Sequence, residues 1–399
     1  MNSNHNSEKK TTDTKSNHEN YRSKDDLTKK QKVAAIKKTL KSDPVDVDRL
    51  RQLAISRGGL INDELRRQCW PKLLNVNIYG ISKKPENLKE HRDYNQVVLD
   101  VARSLKRFPP GMRDEQRLVL QDQLIDVIMR VLVKNPELHY YQGYHDICVT
   151  FLLIVSEDIA FALVDQLSTN HLRDFMEKTM EKTTKILSYL YPILGKANPE
   201  LREFMELAET GTIFCLSWLI TWFGHVLSDF RHVVRLYDFF LACHPMMPIY
   251  VAAAIVLYRQ EEVLQCECDM AMIHSLLSKI PDGLPYEQLI SKAGDLYLQY
   301  PPEKLEQEAN LQLKKSQSIT NYKKLKLSSR SQEPDSVLKA RRRQKLKEQQ
   351  ERRLVVMNRQ EHGSRLVKVT VWALTAAVGV AAYAVMYAAT DLNHWWYGH

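Results

Sequence analysis

What most narrows the folds open to this chain is the spacing of its apolar residues. Over 118–132, Leu120, Leu124, Val127, Ile128 and Val131 recur at three- and four-residue intervals, which sets them on one face of a helix. Asn135-Pro136 stops that helix, because a proline disfavours helical backbone before it. The apolar runs Ile147–Val155 and Ile159–Leu167 follow, separated by Ser156, a residue type that can cap the second. From about Val33 to Leu305 the chain continues as helical patterns with short breaks. It carries no sustained period-two alternation and no strong hairpin signal. The expected fold is all-α.

Of the 399 residues, 44% are hydrophobic, enough for a sizeable core. Residues 1–32 are almost wholly polar and are expected to form a disordered tail, with no signal peptide in them. The helical domain then spans 33–305. After Pro301-Pro302 the composition shifts to Lys, Arg, Gln, Ser and Glu, giving a basic charged linker over 306–366. Much of the net charge of +9 gathers there, most densely in "KARRRQKLKEQQERR" at 339–353. Such a run suits a nuclear-localisation or nucleic-acid patch, a solvated linker, or attraction to an anionic membrane leaflet worth about 1 kcal/mol per basic residue. The last two are compatible, and no nucleic-acid partner is expected. The six cysteines follow no framework spacing, which fits reduced thiols in the cytosol.

Residues 369–390 carry no charge and are long enough to cross a bilayer. Arg352, Arg353, Arg359, Arg365 and Lys368 precede them, which places that side in the cytosol; Trp395, Trp396 and Tyr397 suit the far interface. The expectation is a C-terminal transmembrane anchor over 367–390 with a short far-side tail at 391–399. A buried terminal helix is the alternative. Ala373, Ala377 and Ala381 form a small-residue stripe that could pair two copies or simply fill space. Residues 211–227 are short for a span, and 236–258 contain Asp238, Pro245 and Pro248, so both are expected to be core helices.

Several enzymatic signatures are missing. Gly195-Lys196 is followed by Ala197 and lacks the surrounding glycine and hydroxyl of a phosphate-binding loop. Cys266-Glu-Cys268 has no partner pair at zinc spacing, and no metal site is expected. Two short stretches remain. In "VVLDVARSLKRFPP" (97–110), Asp100 and Arg103 lie three residues apart on one helix face, as many surface pairs do. In "NPELHYYQGYHD" (135–146), a single amide, Gln142, sits among three tyrosines and two histidines; alone, such a glutamine would simply close the turn.

Taken in order with "DELRRQCWPKLLNV" before them (Leu65, Arg66, Trp70, Leu73, Leu74) and "FCLSWLITWFGHVL" and "VVRLYDFFLA" after them (Leu236, Asp238), these stretches resemble the TBC domain. The motifs concerned are Arg-x-x-x-Trp, Ile-x-x-Asp-x-x-Arg, Tyr-x-Gln-Gly and Leu-Trp-Asp, and the likeness covers roughly 50–300. The resemblance implies an all-helical domain that activates Rab GTPases and binds no cofactor of its own, GTP and Mg²⁺ being held by the Rab. It implies that Arg103 is an arginine finger and Gln142 a glutamine finger. Asp100, Tyr140 and Gly143 would support them, Gly143 by letting the Rab come close, while Arg66, Trp70 and Asp238 would be structural. Tyr141, Tyr144, His145, Asp146 and Arg107 are left as candidate Rab contacts. Arg107 also competes for the finger role, since it precedes Phe108-Pro109; the Asp-x-x-Arg spacing favours Arg103. Val97 stands where the motif has Ile.

The YYQGYHD loop, the RFPPGM turn, the length and the anchor look like a member of this family held in the endoplasmic reticulum membrane. That implies the Rabs of ER-to-Golgi traffic and of ER and lipid droplets as partners, lipid contact through the anchor, a lumenal 391–399, and the cis-Golgi as a second address. The runner-up reading is a non-catalytic, membrane-anchored Rab tether. A multi-span membrane protein built on 211–227, 236–258 and 369–390 is the third.

Overall fold

The computed structural model describes residues 27–104, 112–309, 318–319, 321–322, 324 and 335–350, and none of these forms a strand. The N-terminal segment 1–26, Arg107, the anchor 367–390 and the tail 391–399 lie outside the described residues.

The first helix, α1, covers 27–40 and so begins inside the segment expected to be a polar tail. Its Ile36 is fully buried, and the Lys32 ammonium donates to the carbonyls of Ser56 (3.2 Å) and Arg57 (2.7 Å). Burial, and then the nearby Arg235, pull that ammonium down to about 8. Helix α2 (Val47–Ile55) is capped by Asp46, whose side chain accepts from the Arg49 amide, and α3 (Asp63–Leu73) by Asn62, which accepts from the Leu65 amide. Helices α4 (Tyr94–Ser104), α5 (Asp114–Lys134), α6 (Tyr144–Ile154) and α7 (Glu157–Thr169) follow. The apolar stripe predicted for 118–132 is the inner face of α5, which packs on α4, α6 and α7. Ser156 does stand ahead of α7, but its side chain makes no cap bond.

Helices α8 (Glu181–Leu187), α9 (Leu190–Ala197), α10 (Pro199–Leu207), α11 (Leu216–Ile220), α12 (Phe230–Leu241) and α13 (Met247–Tyr258) come next. Helices α14 (Gln260–Leu264), α15 (Met270–Ser278), α16 (Tyr286–Gln299) and α17 (Pro302–Leu305) close the series. The two apolar stretches that mimic membrane spans are resolved here. Residues 236–258 are the end of α12, a turn, and α13. Helix α13 is apolar on every side because it packs against α9, α11 and α16. Residues 211–227 are broken into a 3₁₀ turn (Ile213–Cys215), α11 and a turn with positive φ at Trp222 and Phe223. No described helix is long and apolar enough to cross a membrane.

Helix α12 is locked to α3 and to the segment before it by Asp238. Its carboxylate has no exposure and accepts from the Leu60 amide (2.9 Å), the Arg66 Nε (3.1 Å) and Nη2 (3.1 Å), and the Trp70 Nε1 (2.9 Å). Arg-x-x-x-Trp and Leu-Tyr-Asp are thus two halves of one buried cluster. Burial works against the Arg66 charge, but Asp238 and then Asp63 outweigh it and hold the guanidinium above its ordinary range. Gly59, at φ +55°, completes the cluster: a Cβ there would stand 2.5 Å from Asp238 Oδ2.

The domain also runs past 305. Within 306–366, expected to be linker, Ile319, Tyr322, Val337 and Leu338 are buried. Tyr297 Oη (3.0 Å) and Tyr322 Oη (3.3 Å) donate to Asp335, and Asn321 Nδ2 donates to the Thr169 carbonyl (2.6 Å). A few apolar residues in a polar stretch give no periodic signal, which is why composition alone missed them. Residues 340–350 belong to a second unit, 340–399, and are helical.

Candidate functional site

Helix α4 buries Val97, Asp100 and Val101 and turns Arg103 outward from its last turn. The two charged groups of the Asp-x-x-Arg spacing therefore have opposite environments: Asp100 is 2% exposed, and the Arg103 side chain is 71% exposed. Arg103 Nη1 stands 3.9 Å from Asp100 Oδ1, beyond hydrogen-bond distance.

The loop after α5 is fixed at almost every residue. Asn135 Nδ2 donates to the Val131 carbonyl and to Asp165 Oδ1, the His139 amide donates to the Met176 carbonyl, and Arg92 Nη2 donates to the Leu138 carbonyl. Tyr140 Oη reaches back to α4 and donates to Asp100 Oδ2 at 3.2 Å, while facing His145 Nδ1 at 2.9 Å. Tyr141 Oη donates to the Ile220 carbonyl at the end of α11 (2.9 Å), and its ring packs on Tyr144 and Phe175. Between these anchors Gln142 is exposed, and none of the described residues hydrogen-bonds its side-chain amide. The glutamine does not tie the turn down; the tyrosines do.

Gly143 sits at φ +106° and caps α6. A Cβ there would stand 2.9 Å from Thr221 Cγ2 and 3.6 Å from Ile220 Cγ1. The sequence reading gave this glycine a role in admitting a partner. Its need is internal, for a left-handed turn pressed against the segment after α11.

Arg103, Gln142 and Gly143 open on one cleft of about 460 Å³, whose far wall is built by Ser217, Ile220, Thr221 and His225 and whose rim includes Phe175 and Met180. Tyr141, His145 and Asp146 line it too. Tyr144 does not: it is 0% exposed, with its hydroxyl 2.6 Å from Ser168 Oγ on α7, so it is removed from any surface a partner could touch. His145 is 7% exposed, which leaves little of it for a partner. Asp146 Oδ2 lies 3.2 Å from His225 Nδ1.

Burial raises the Tyr140 phenol well above its ordinary range, and the Asp100 charge beside it adds to this, so it stays a proton donor. Burial lowers His145, against the opposing pull of Asp146 and Asp100. The carboxylates of the cleft are engaged by Tyr140 and His225, and no described group of three or more His, Cys, Asp or Glu could hold a metal ion. Among the described residues the cleft offers a loosely held guanidinium and an amide without a side-chain partner, groups that stabilise charge and orient a small molecule.

His225 and Thr221 are site residues that sequence reasoning passed over. Their signal was the end of the aromatic segment "TWFGHVL", which served for the family likeness and the span question but gave neither residue a role.

A family model described as the Rab-GTPase-TBC domain matches residues 63–264. The chain is 58% identical over 368 residues to "TBC1 domain family member 20" of Homo sapiens, covering 91% of this chain and 90% of that protein. It is 32% identical over 277 residues to "GTPase-activating protein gyp10" of Schizosaccharomyces pombe, covering 66% of this chain and 72% of that one. Among solved structures, the Ypt/Rab-GAP domain of Gyp1p aligns with a TM-score of 0.49 and 14% identity over 68% of this chain and 99% of that one.

Proposed function

The chain belongs to the Rab-GTPase-TBC family of GTPase-activating domains, and from that premise we propose that Arg103 and Gln142 act together on the GTP of a Rab partner. The observation that carries the proposal is their exposure on one cleft, the arginine loosely held and the amide unbonded among the described residues. GTP hydrolysis spreads negative charge over the transferring phosphoryl group and the leaving oxygens. The Arg103 guanidinium, planar and always charged, neutralises it with several donors at once. The Gln142 amide accepts a hydrogen bond from the attacking water and donates another, which orients the oxygen's lone pair. GTP and Mg²⁺ belong to the Rab, and this chain supplies no acid, base or cofactor of its own. The amide acts through a loop whose every neighbour is anchored, so little motion is left to freeze at the moment of reaction.

The membrane address belongs to the same proposal. The uncharged 369–390, with basic residues before it and Trp395, Trp396 and Tyr397 after it, supports an anchor in the endoplasmic reticulum. The Rabs of ER-to-Golgi traffic and of ER and lipid droplets are then the proposed partners. A single-turnover GTP hydrolysis assay across a panel of Rabs, with the full chain, tests the fingers. The wild type accelerates at least one Rab, and Arg103→Ala and Gln142→Ala each abolish most of that acceleration. Unchanged turnover in both variants refutes the assignment and favours the tether.

A further inference from the structure

Two donors compete for the buried carboxylate of Asp100. The Tyr140 hydroxyl stands 3.2 Å from Oδ2, and the Arg103 Nη1 approaches the other oxygen, Oδ1, at 3.9 Å, so what they share is its charge. Water has little access to a group 2% exposed, so among the described residues the carboxylate depends on these side chains. A phenol has one proton. Given to Asp100, it leaves the Tyr140 oxygen able only to accept, and the group facing that oxygen at 2.9 Å is His145 Nδ1. Nδ1 must then carry a hydrogen. Nε2 is left bare in the neutral ring that burial favours. It lies 3.8 Å from Asp146 Oδ2, outside hydrogen-bond distance, and that oxygen already faces His225 Nδ1 at 3.2 Å.

We propose that His145 is a positioning residue: its Nδ1–H holds the Tyr140 phenol on Asp100 Oδ2, and the carboxylate, its charge drawn toward that phenol, holds Arg103 loosely enough at Oδ1 for it to reach into the cleft. In the other tautomer the phenol would give its proton to Nδ1. Asp100 would then lose its donor, and the nearest cation, Arg103, would close the remaining gap and withdraw. His145 follows Gln142 by three residues, so one ring ties the loop of the amide to the helix of the arginine. The inference rests on the proposed role of Arg103.

Three substitutions in the full chain separate this from simple packing. Asparagine puts an amide nitrogen near the place of Nδ1, glutamine puts one near Nε2, and leucine has no donor. With a Rab that the wild type accelerates, His145→Gln and His145→Leu lower kcat about tenfold, the worth of one neutral hydrogen bond, with KM for the GTP-loaded Rab within about twofold. His145→Asn stays within about threefold of wild type in kcat. Nitrogen NMR of the histidine-labelled chain gives a second reading: the resonance lost in any of the three variants shows the neutral Nδ1–H form. Asparagine as slow as glutamine and leucine, a loss confined to KM, or the Nε2–H form overturns the inference. Where a variant melts before it can be assayed, the wild-type tautomer decides. A wild type that accelerates no Rab, or an Arg103→Ala variant as fast as wild type, overturns the underlying role of Arg103 instead.

Discussion

Two buried aspartates, each near an arginine, behave in opposite ways in this molecule. Asp238 takes five hydrogen bonds from Arg66, Trp70 and Leu60, and Arg66 is itself 6% exposed. Among the described residues Asp100 takes one side-chain hydrogen bond, from Tyr140, and Arg103 stays out of hydrogen-bond range with most of its surface in solvent. The same residue types at motif spacing therefore serve two ends. Where the arginine closes on its carboxylate the pair fixes the fold. Where a tyrosine takes the carboxylate first, the arginine remains available to a partner. The difference lies in what else reaches the aspartate.

The comparison is broken most directly by removing the free arginine. Arg103→Ala is expected to cost on the order of 10³-fold or more in Rab-stimulated turnover, while its melting temperature stays at the wild-type value. A lowered melting temperature would mean that Arg103 is held as Arg66 is. Next in size, Asp238→Ala leaves the Trp70 indole buried without an acceptor and the Arg66 charge with Asp63 alone, at a cost of about 3–5 kcal/mol in denaturant unfolding. If stability survives, the cluster is not the clamp described. Gly143→Ala should do a little of both. The left-handed turn and the 2.9 Å approach to Thr221 predict a loss of about 1–3 kcal/mol, together with slower turnover because Gln142 moves. Equal turnover would show that the amide tolerates displacement.

Acid is the mildest probe. His171 lies in the core, pushed down to about 4 by burial and then by His244. Its folded value is below that of the unfolded chain, so its contribution is complete above pH 6.5 and is lost as pH falls toward 4. The slope is at most about 1.4 kcal/mol per pH unit. His171→Asn flattens that limb of the stability curve; an unaltered limb would assign the acid sensitivity elsewhere.

Much of this was legible in the amino-acid sequence where a local rule governs. The stripe of α5 and its stop at Asn135-Pro136 follow from helical period and proline sterics alone. Arg103 and Asp100 were visible as a one-turn pair. What local rules cannot convey is which neighbour a side chain meets. Tyr141 and Tyr144 look alike in "YYQGY", yet one lines the cleft and the other is sealed against Ser168, a partner on α7. Helix α13 has the composition of a membrane segment because being surrounded by protein and being surrounded by lipid select the same side chains, and only Asp238 and the prolines beside it told the two apart. Ile319, Tyr322, Val337 and Leu338 were invisible for a related reason, since so few anchors raise no local average.

The Asp238 cluster also bears on the order in which the chain is made. Leu60, Arg66 and Trp70 are translated 168 to 178 residues before the aspartate they bind. Until that aspartate has left the ribosome, Arg66 has only Asp63 of its own helix and the other two lack this acceptor, and the early helices can collapse but cannot lock. A chain interrupted anywhere before residue 238 is therefore committed to exposure of the Trp70 indole and of an arginine without its interhelical partner, the kind of surface that chaperones hold and proteases remove. Release of a finished domain is gated by its twelfth helix.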